Sequence, residues 1–204
     1  MPRINSEYRD DAKKQIIAAA LDIAAENGWD AVKLDTIARK VGVTKGAFYS
    51  YFPNSNILMQ DVIIEMIRTI RTNMVEDFVN ESDVHTALNQ FSNFIFLHMR
   101  PIMPVFIQAI ASARLKDPVF KEYVSGLLDE NNILFIAALD RYQKAGQIPR
   151  EVELSSAVRA IYGMSMGLGM ITQVLEKDAR QSKQVWVDAA GKILLLGPVP
   201  RKKR

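Results

Sequence analysis

Residues 34–52 read LDTIARKVGVTKGAFYSYF, and this stretch decides the fold. Ile37, Ala38 and Val41 recur at one-turn spacing, which predicts a short amphipathic helix. Gly42 follows, four positions after the small Ala38. A small residue there lets two helices cross closely, and glycine supplies the dihedral of a sharp turn. Thr44 suits the N-cap of the next helix, Val43 and Phe48 occupy the positions of a hydrophobic staple, and Pro53 ends the run. On that second helix Phe48 and Phe52 point one way, Gly46, Tyr49 and Ser50 the other, with Lys45 and Ala47 on the flanks. The spacing is that of a helix-turn-helix, whose second helix enters the DNA major groove.

Outward from this run the chain reads as helix nearly everywhere, with no convincing period-two alternation. Upstream, Ser6 is a plausible cap, Ile16, Ile17, Ala20, Leu21 and Ala24 form one apolar stripe, and Asn27-Gly28 stops the helix. Downstream, a long helix is predicted over about 55–78, with Ile63, Ile67, Ile70 and Met74 along one side. Further helices are predicted over about 84–99, 103–113, 118–145, 154–176 and 183–196, with Asp117-Pro118 as a start and Gly146 with Pro149 as a stop. The fold class is all-α: a three-helix DNA-binding head over residues 1–53, a larger helical domain over 54–197 and a basic tail over 198–204.

The net charge of the 204 residues is only +3, so general basicity carries no argument, but its distribution does. Lys33, Arg39, Lys40 and Lys45 stand against the single acid Asp35 between residues 33 and 45, and Arg201 to Arg204 are all basic. There is no cysteine, which excludes disulfides and cysteine zinc sites. The Met-Pro-Arg opening shows no apolar signal segment, and the longest uncharged run, Ala160 to Leu175, falls short of the roughly 20 apolar residues of a membrane span. A soluble, cytoplasmic protein is the expectation.

The N-terminal quarter resembles the tetracycline-repressor (TetR) family of transcriptional regulators. The resemblance rests on Ile37-Ala38, on Gly42-Val43-Thr44-Lys45-Gly46 and on Phe48-Tyr49-Ser50-Tyr51-Phe52. It implies a homodimer that sets two recognition helices on a palindromic operator. Gly46 and Ala47 would let the helix backbone approach the groove closely, Lys45 and Tyr49 would reach base edges or phosphates, Tyr51 would offer its hydroxyl to the DNA backbone, and Thr36, Thr44 and Ser50 are further candidates for base or phosphate contact. Two positions depart from the usual pattern: Lys33 stands where Thr or Ser is frequent, and Ser55 where Lys is frequent, both at places that commonly touch phosphate.

The resemblance also implies that the larger domain dimerises and binds a small effector. Aromatic and methionine residues suit an adaptable apolar pocket, and Phe94, His98, Met103, Phe106, Phe135, Tyr162 and Met166 are its candidates, although such residues at helical spacing are more often plain core. The effector would be small and largely apolar. Each mid-helix glycine costs about 1 kcal/mol relative to alanine. Gly163 and Gly167 therefore suggest close helix approach, and with Met170, Val174, Trp186 and Ala190 they are the candidate subunit contact.

Enzymatic readings find no support. The two histidines, His85 and His98, are too far apart for a His-x-x-x-His metal pair, and no phosphate-binding loop or nucleophile elbow occurs. No cofactor or metal is expected. Two alternatives to a ligand-responsive repressor stay open: an architectural DNA binder without effector, and a ligand-binding protein whose head no longer binds DNA.

Overall fold

The computed structural model describes residues 6–28, 31–99, 103, 106–107 and 117–197, the side chains of residues 6–8 and 174 excepted. The expected helix at 103–113 and the basic tail therefore lie largely outside the described residues. Eight α-helices are described: α1 (Ser6–Asn27), α2 (Leu34–Val41), α3 (Lys45–Tyr51), α4 (Ser55–Asn80), α5 (Val84–Asn93), α6 (Pro118–Lys144), α7 (Leu154–Val174) and α8 (Ala179–Ile193). They form two compact units, residues 1–67 with 104–122, and residues 68–103 with 123–204.

In the first unit α1 packs on α2, and α2 on α3, around Ile16, Ala20, Ile23, Ile37, Phe48 and Phe52, all buried. The turn forms as its residues dictate. Gly42 adopts φ +78°, a left-handed conformation that costs a glycine nothing, and its N–H bonds back to the Ala38 carbonyl. The Thr44 hydroxyl then accepts the Ala47 N–H at 3.2 Å, capping α3 as its sequence predicts. Asn54 does the same for α4 through the Ile57 N–H at 3.0 Å. Full burial of Phe48 and Phe52, whose rings lie 5.8 Å apart, contributes about 1.5–3 kcal/mol each. This fixes which face of α3 turns outward.

The second unit is organised around aromatic contacts. Phe78 meets Phe91, Phe135 and Tyr142, and Trp186 meets Phe91 and Phe96, with ring centroids 4.9–6.5 Å apart. The segment expected as helix to residue 99 changes character on the way. From Phe94 to His98 it widens into a π-helical turn, with the Met99 N–H reaching the Phe94 carbonyl at 2.8 Å. α8 begins four residues before its expected start, because Asp178 accepts the Arg180 N–H at 2.8 Å and caps it there. Among the described residues no helix is long and apolar enough to cross a membrane.

Candidate functional site

The outward face of α3 is built from the residues the sequence singles out. Lys45, Gly46, Ala47 and Ser50 are exposed, Tyr49 is 42 % exposed, and Thr44 stands exposed at the cap. A β-carbon added at Gly46 would meet nothing within 4 Å. The glycine is thus not required by the head's own packing. It leaves a low surface on which a backbone can come close to a base edge. The Ser50 hydroxyl donates to the Ala47 carbonyl at 2.6 Å, which holds it along the helix. Its backbone carbonyl accepts from the Arg9 guanidinium at 2.9 Å, a contact from α1 that the sequence reading missed and that no local pattern signals.

Around this helix the remaining candidates form a rim. Lys33 is the exposed, extended residue before α2, with its side chain left out of capping. Ser55 is the exposed first residue of α4, and Thr36 and Tyr51 are half-buried. Lys45 is engaged in the free head: its ammonium lies 3.0 Å from the Asp35 carboxylate. The hydrogen bond to Asp35 and the attraction of its charge raise the lysine above its ordinary value. Lys40 is similarly paired with Asp22 at 3.1 Å. A small polar face flanked by cations, on a helix short enough to enter a groove, defines a helix-turn-helix DNA-binding head.

The second unit contains a narrow cavity lined by Ile70, Met74, Phe91, Ile95, Asn131, Asn132, Phe135, Tyr162, Ser165 and Met166. Its volume is about 20 Å³, room for about one water. Three of the seven expected effector residues, Phe135, Tyr162 and Met166, line it. The others are placed elsewhere: Phe94 stacks on Phe91 in the core, His98 is exposed, Met103 is buried against Gly169, and Phe106 is buried. The asparagines escaped the sequence reading, although a signal existed. Val124, Leu127, Asn131, Phe135 and Leu139 share the buried stripe of α6, which one amide interrupts.

Of the expected subunit contact, Gly163, Gly167 and Met170 lie exposed or half-exposed on one face of α7, and Val174 falls outside the described side chains. Trp186 and Ala190 require a correction. Both are fully buried within the protomer, and the Trp186 indole N–H donates to the Ser165 hydroxyl at 2.8 Å, so they serve the α7–α8 packing and no outer surface.

Residues 16–61 match the family described as bacterial regulatory proteins, tetR family. The HTH-type transcriptional regulator YdeS of Bacillus subtilis is 21% identical over 150 residues, 74% of each chain. A TetR transcription regulator from Haloarcula marismortui superposes with a TM-score of 0.73 at 14% identity, covering 91% of this chain and 97% of the other. The regulator FadR from Bacillus subtilis, solved in complex with stearoyl-CoA, superposes with a TM-score of 0.68 at 19% identity, covering 87% and 96%. The head thus matches the tetR family over residues 16–61, and the chain has the fold of TetR transcriptional regulators.

Proposed function

We propose that this regulator is a ligand-responsive repressor, active as a cytoplasmic homodimer on a palindromic operator. The observation that carries the reading is the exposed Lys45–Ser50 face of α3, set on a head whose turn and cap are fully formed. Two such helices in a dimer read half-sites about 34–36 Å apart. Lys45 and Tyr49 address base edges or phosphates, and Lys33, Thr36, Thr44, Tyr51 and Ser55 address the backbone. The functional division follows that of the sequence: residues 1–53 bind DNA and residues 54–197 bind effector and partner.

The exposed α7 face supports the dimer. β-carbons added at Gly163 and Gly167 would meet nothing within 4 Å, whereas one at Gly169 would meet Met103 at 3.2 Å. Gly169 thus has a reason inside the protomer, and Gly163 and Gly167 leave room for a neighbour. An effector in the cavity acts through α4, whose residues are shared between the two units. By favouring one dimer arrangement it shifts operator affinity by a coupling of about 1–3 kcal/mol. The stearoyl-CoA complex of FadR supports an effector with a large apolar part.

Selection from random duplexes, followed by footprinting and sedimentation, tests the reading. The expected result is a palindrome with half-site centres one helical turn apart, bound by two chains. A bound pool without sequence preference overturns it in favour of an architectural binder, and no salt-dependent binding at all means that the head does not read DNA.

A further inference from the structure

The cavity walls have a chemistry of their own. Ile70, Met74, Phe91, Ile95, Phe135 and Met166 supply an apolar surface. The polar groups among them are two amides, Asn131 and Asn132, and two hydroxyls, Tyr162 and Ser165. Among the described residues none that lines the space carries a charge. The charged group nearest in the hydrogen-bond network, Arg71, donates through Nε to the Asn131 amide oxygen at 2.6 Å. Its Nη2 is taken by the Glu130 carboxylate at 2.7 Å. That guanidinium is neutralised by Glu130.

The polar groups differ in what they have left to offer. The Ser165 hydroxyl is committed, donating to the Ile161 carbonyl at 2.7 Å and accepting from Trp186. Tyr162 and Asn132 are half-buried at the cavity, and among the described residues neither side chain makes a hydrogen bond. Their polar ends still reach solvent, since among the described residues no buried side-chain nitrogen or oxygen lacks a partner, so a phenol and an amide stand at the cavity able to pair with what enters. Burial pushes the Tyr162 phenol up to about 12, so the enclosure opposes a negative charge at this position.

We propose that the effector is an electrically neutral, largely apolar molecule with one hydrogen-bonding end, an alcohol, phenol or ketone, and that free carboxylates are excluded. The apolar body displaces the Met74 and Met166 thioethers, the adaptable part of the wall, because the closed space is far too small for it. The polar end pairs with the Tyr162 hydroxyl and the Asn132 amide. A carboxylate would find the same two hydrogen bonds but, among the described residues lining the cavity, no free cation, and an uncompensated buried charge costs more than those bonds return. This inference rests on reading the cavity as the effector site.

Trp186 reports on the site, since its indole bonds to Ser165 and its ring lies 6.1 Å from that of Phe91, both of the cavity wall. The chain has two tryptophans, and Trp29→Phe leaves Trp186 alone. The probes are 1-octanol and octanoate at neutral pH, followed by Trp186 emission in that variant and by calorimetry on the unsubstituted chain. The expected result is saturable binding of the alcohol with a changed emission, and binding of octanoate weaker by at least about tenfold. Tyr162→Phe should weaken octanol several-fold and leave the melting temperature unchanged. Octanoate binding as tightly as octanol overturns the neutral-effector inference while the site itself stands. Calorimetry showing that neither probe binds overturns both, as does binding that leaves Trp186 emission unmoved.

Discussion

Lys45 faces two competing partners, and its surroundings say which prevails. In the free head it is paired with Asp35 at 3.0 Å, but both side chains are more than half exposed. Such an exposed pair is a weak hold, against an operator phosphate that also releases condensed counterions. DNA therefore wins the ammonium. Lys45→Ala should weaken operator binding and flatten its logarithmic salt dependence by about one unit, as fluorescence anisotropy across a salt series would show. An unchanged slope would place the lysine off the backbone. Asp35→Asn should act in the opposite sense, tightening binding by up to a few-fold because nothing then competes for Lys45. Gly46 makes a separate test of close approach. A β-carbon added there meets nothing within 4 Å in the free head. Gly46→Val should keep the thermal melt of the parent and lose the operator footprint; an intact footprint would mean the α3 backbone stands off from the groove.

At the scale of the element, caps decide where helices begin, and caps were the most legible feature of the sequence. Thr44 and Asp117-Pro118 act as their residue types predict, the Asp117 carboxylate accepting the Val119 and Phe120 N–H groups at 3.0 and 3.1 Å. The boundary that differs is the start of α8, which the Asp178 carboxylate caps four residues ahead of the expected position. The π turn at Phe94–His98 was not legible, because helical periodicity in apolar residues does not distinguish a four-residue from a five-residue bond. The cavity was half legible for a related reason. Aromatic and methionine residues mark the core without saying which of them border an empty space. Caps also carry a pH prediction. Burial alone would raise the Asp83 carboxyl, but the Thr86 hydroxyl and amide, bonded at 2.7 and 2.8 Å, bring it below its ordinary value. A depressed carboxyl stabilises the fold above its unfolded-state value and loses that contribution as pH falls through the folded one. Asp83→Ala should therefore cost about 1 kcal/mol at neutral pH, with the gap to the parent narrowing in strong acid. Thermal melts at both pH values check it, and a gap independent of pH would remove the charge from the cap's contribution.

In the proposed dimer, operator reading and dimerisation are one property, because a single short recognition helix covers too few bases to specify a site. The face proposed for the contact is α7, where Gly163, Gly167, Met170 and Ile171 recur at one- and two-turn spacings. Met170 and Ile171 are each 44 % exposed and Leu175 58 %, an amount of apolar surface on one helix that solvent does not favour. The glycines separate two explanations. Were they there to admit neighbours within the protomer, an added β-carbon would meet one closely, as it does at Gly169, 3.2 Å from the Met103 side chain. At Gly167 it would not. Gly167→Leu should accordingly fold with parental helix content and melt as a protomer, because its β-carbon meets nothing within 4 Å. It should sediment as a monomer, because that space is where the second α7 must come. Operator affinity should drop with it, since each head then binds its half-site alone and the gain from linking two sites disappears. A dimer that persists in sedimentation would move the contact off Gly167. A monomer that still protects both half-sites at parental concentration would break the link between dimerisation and operator reading.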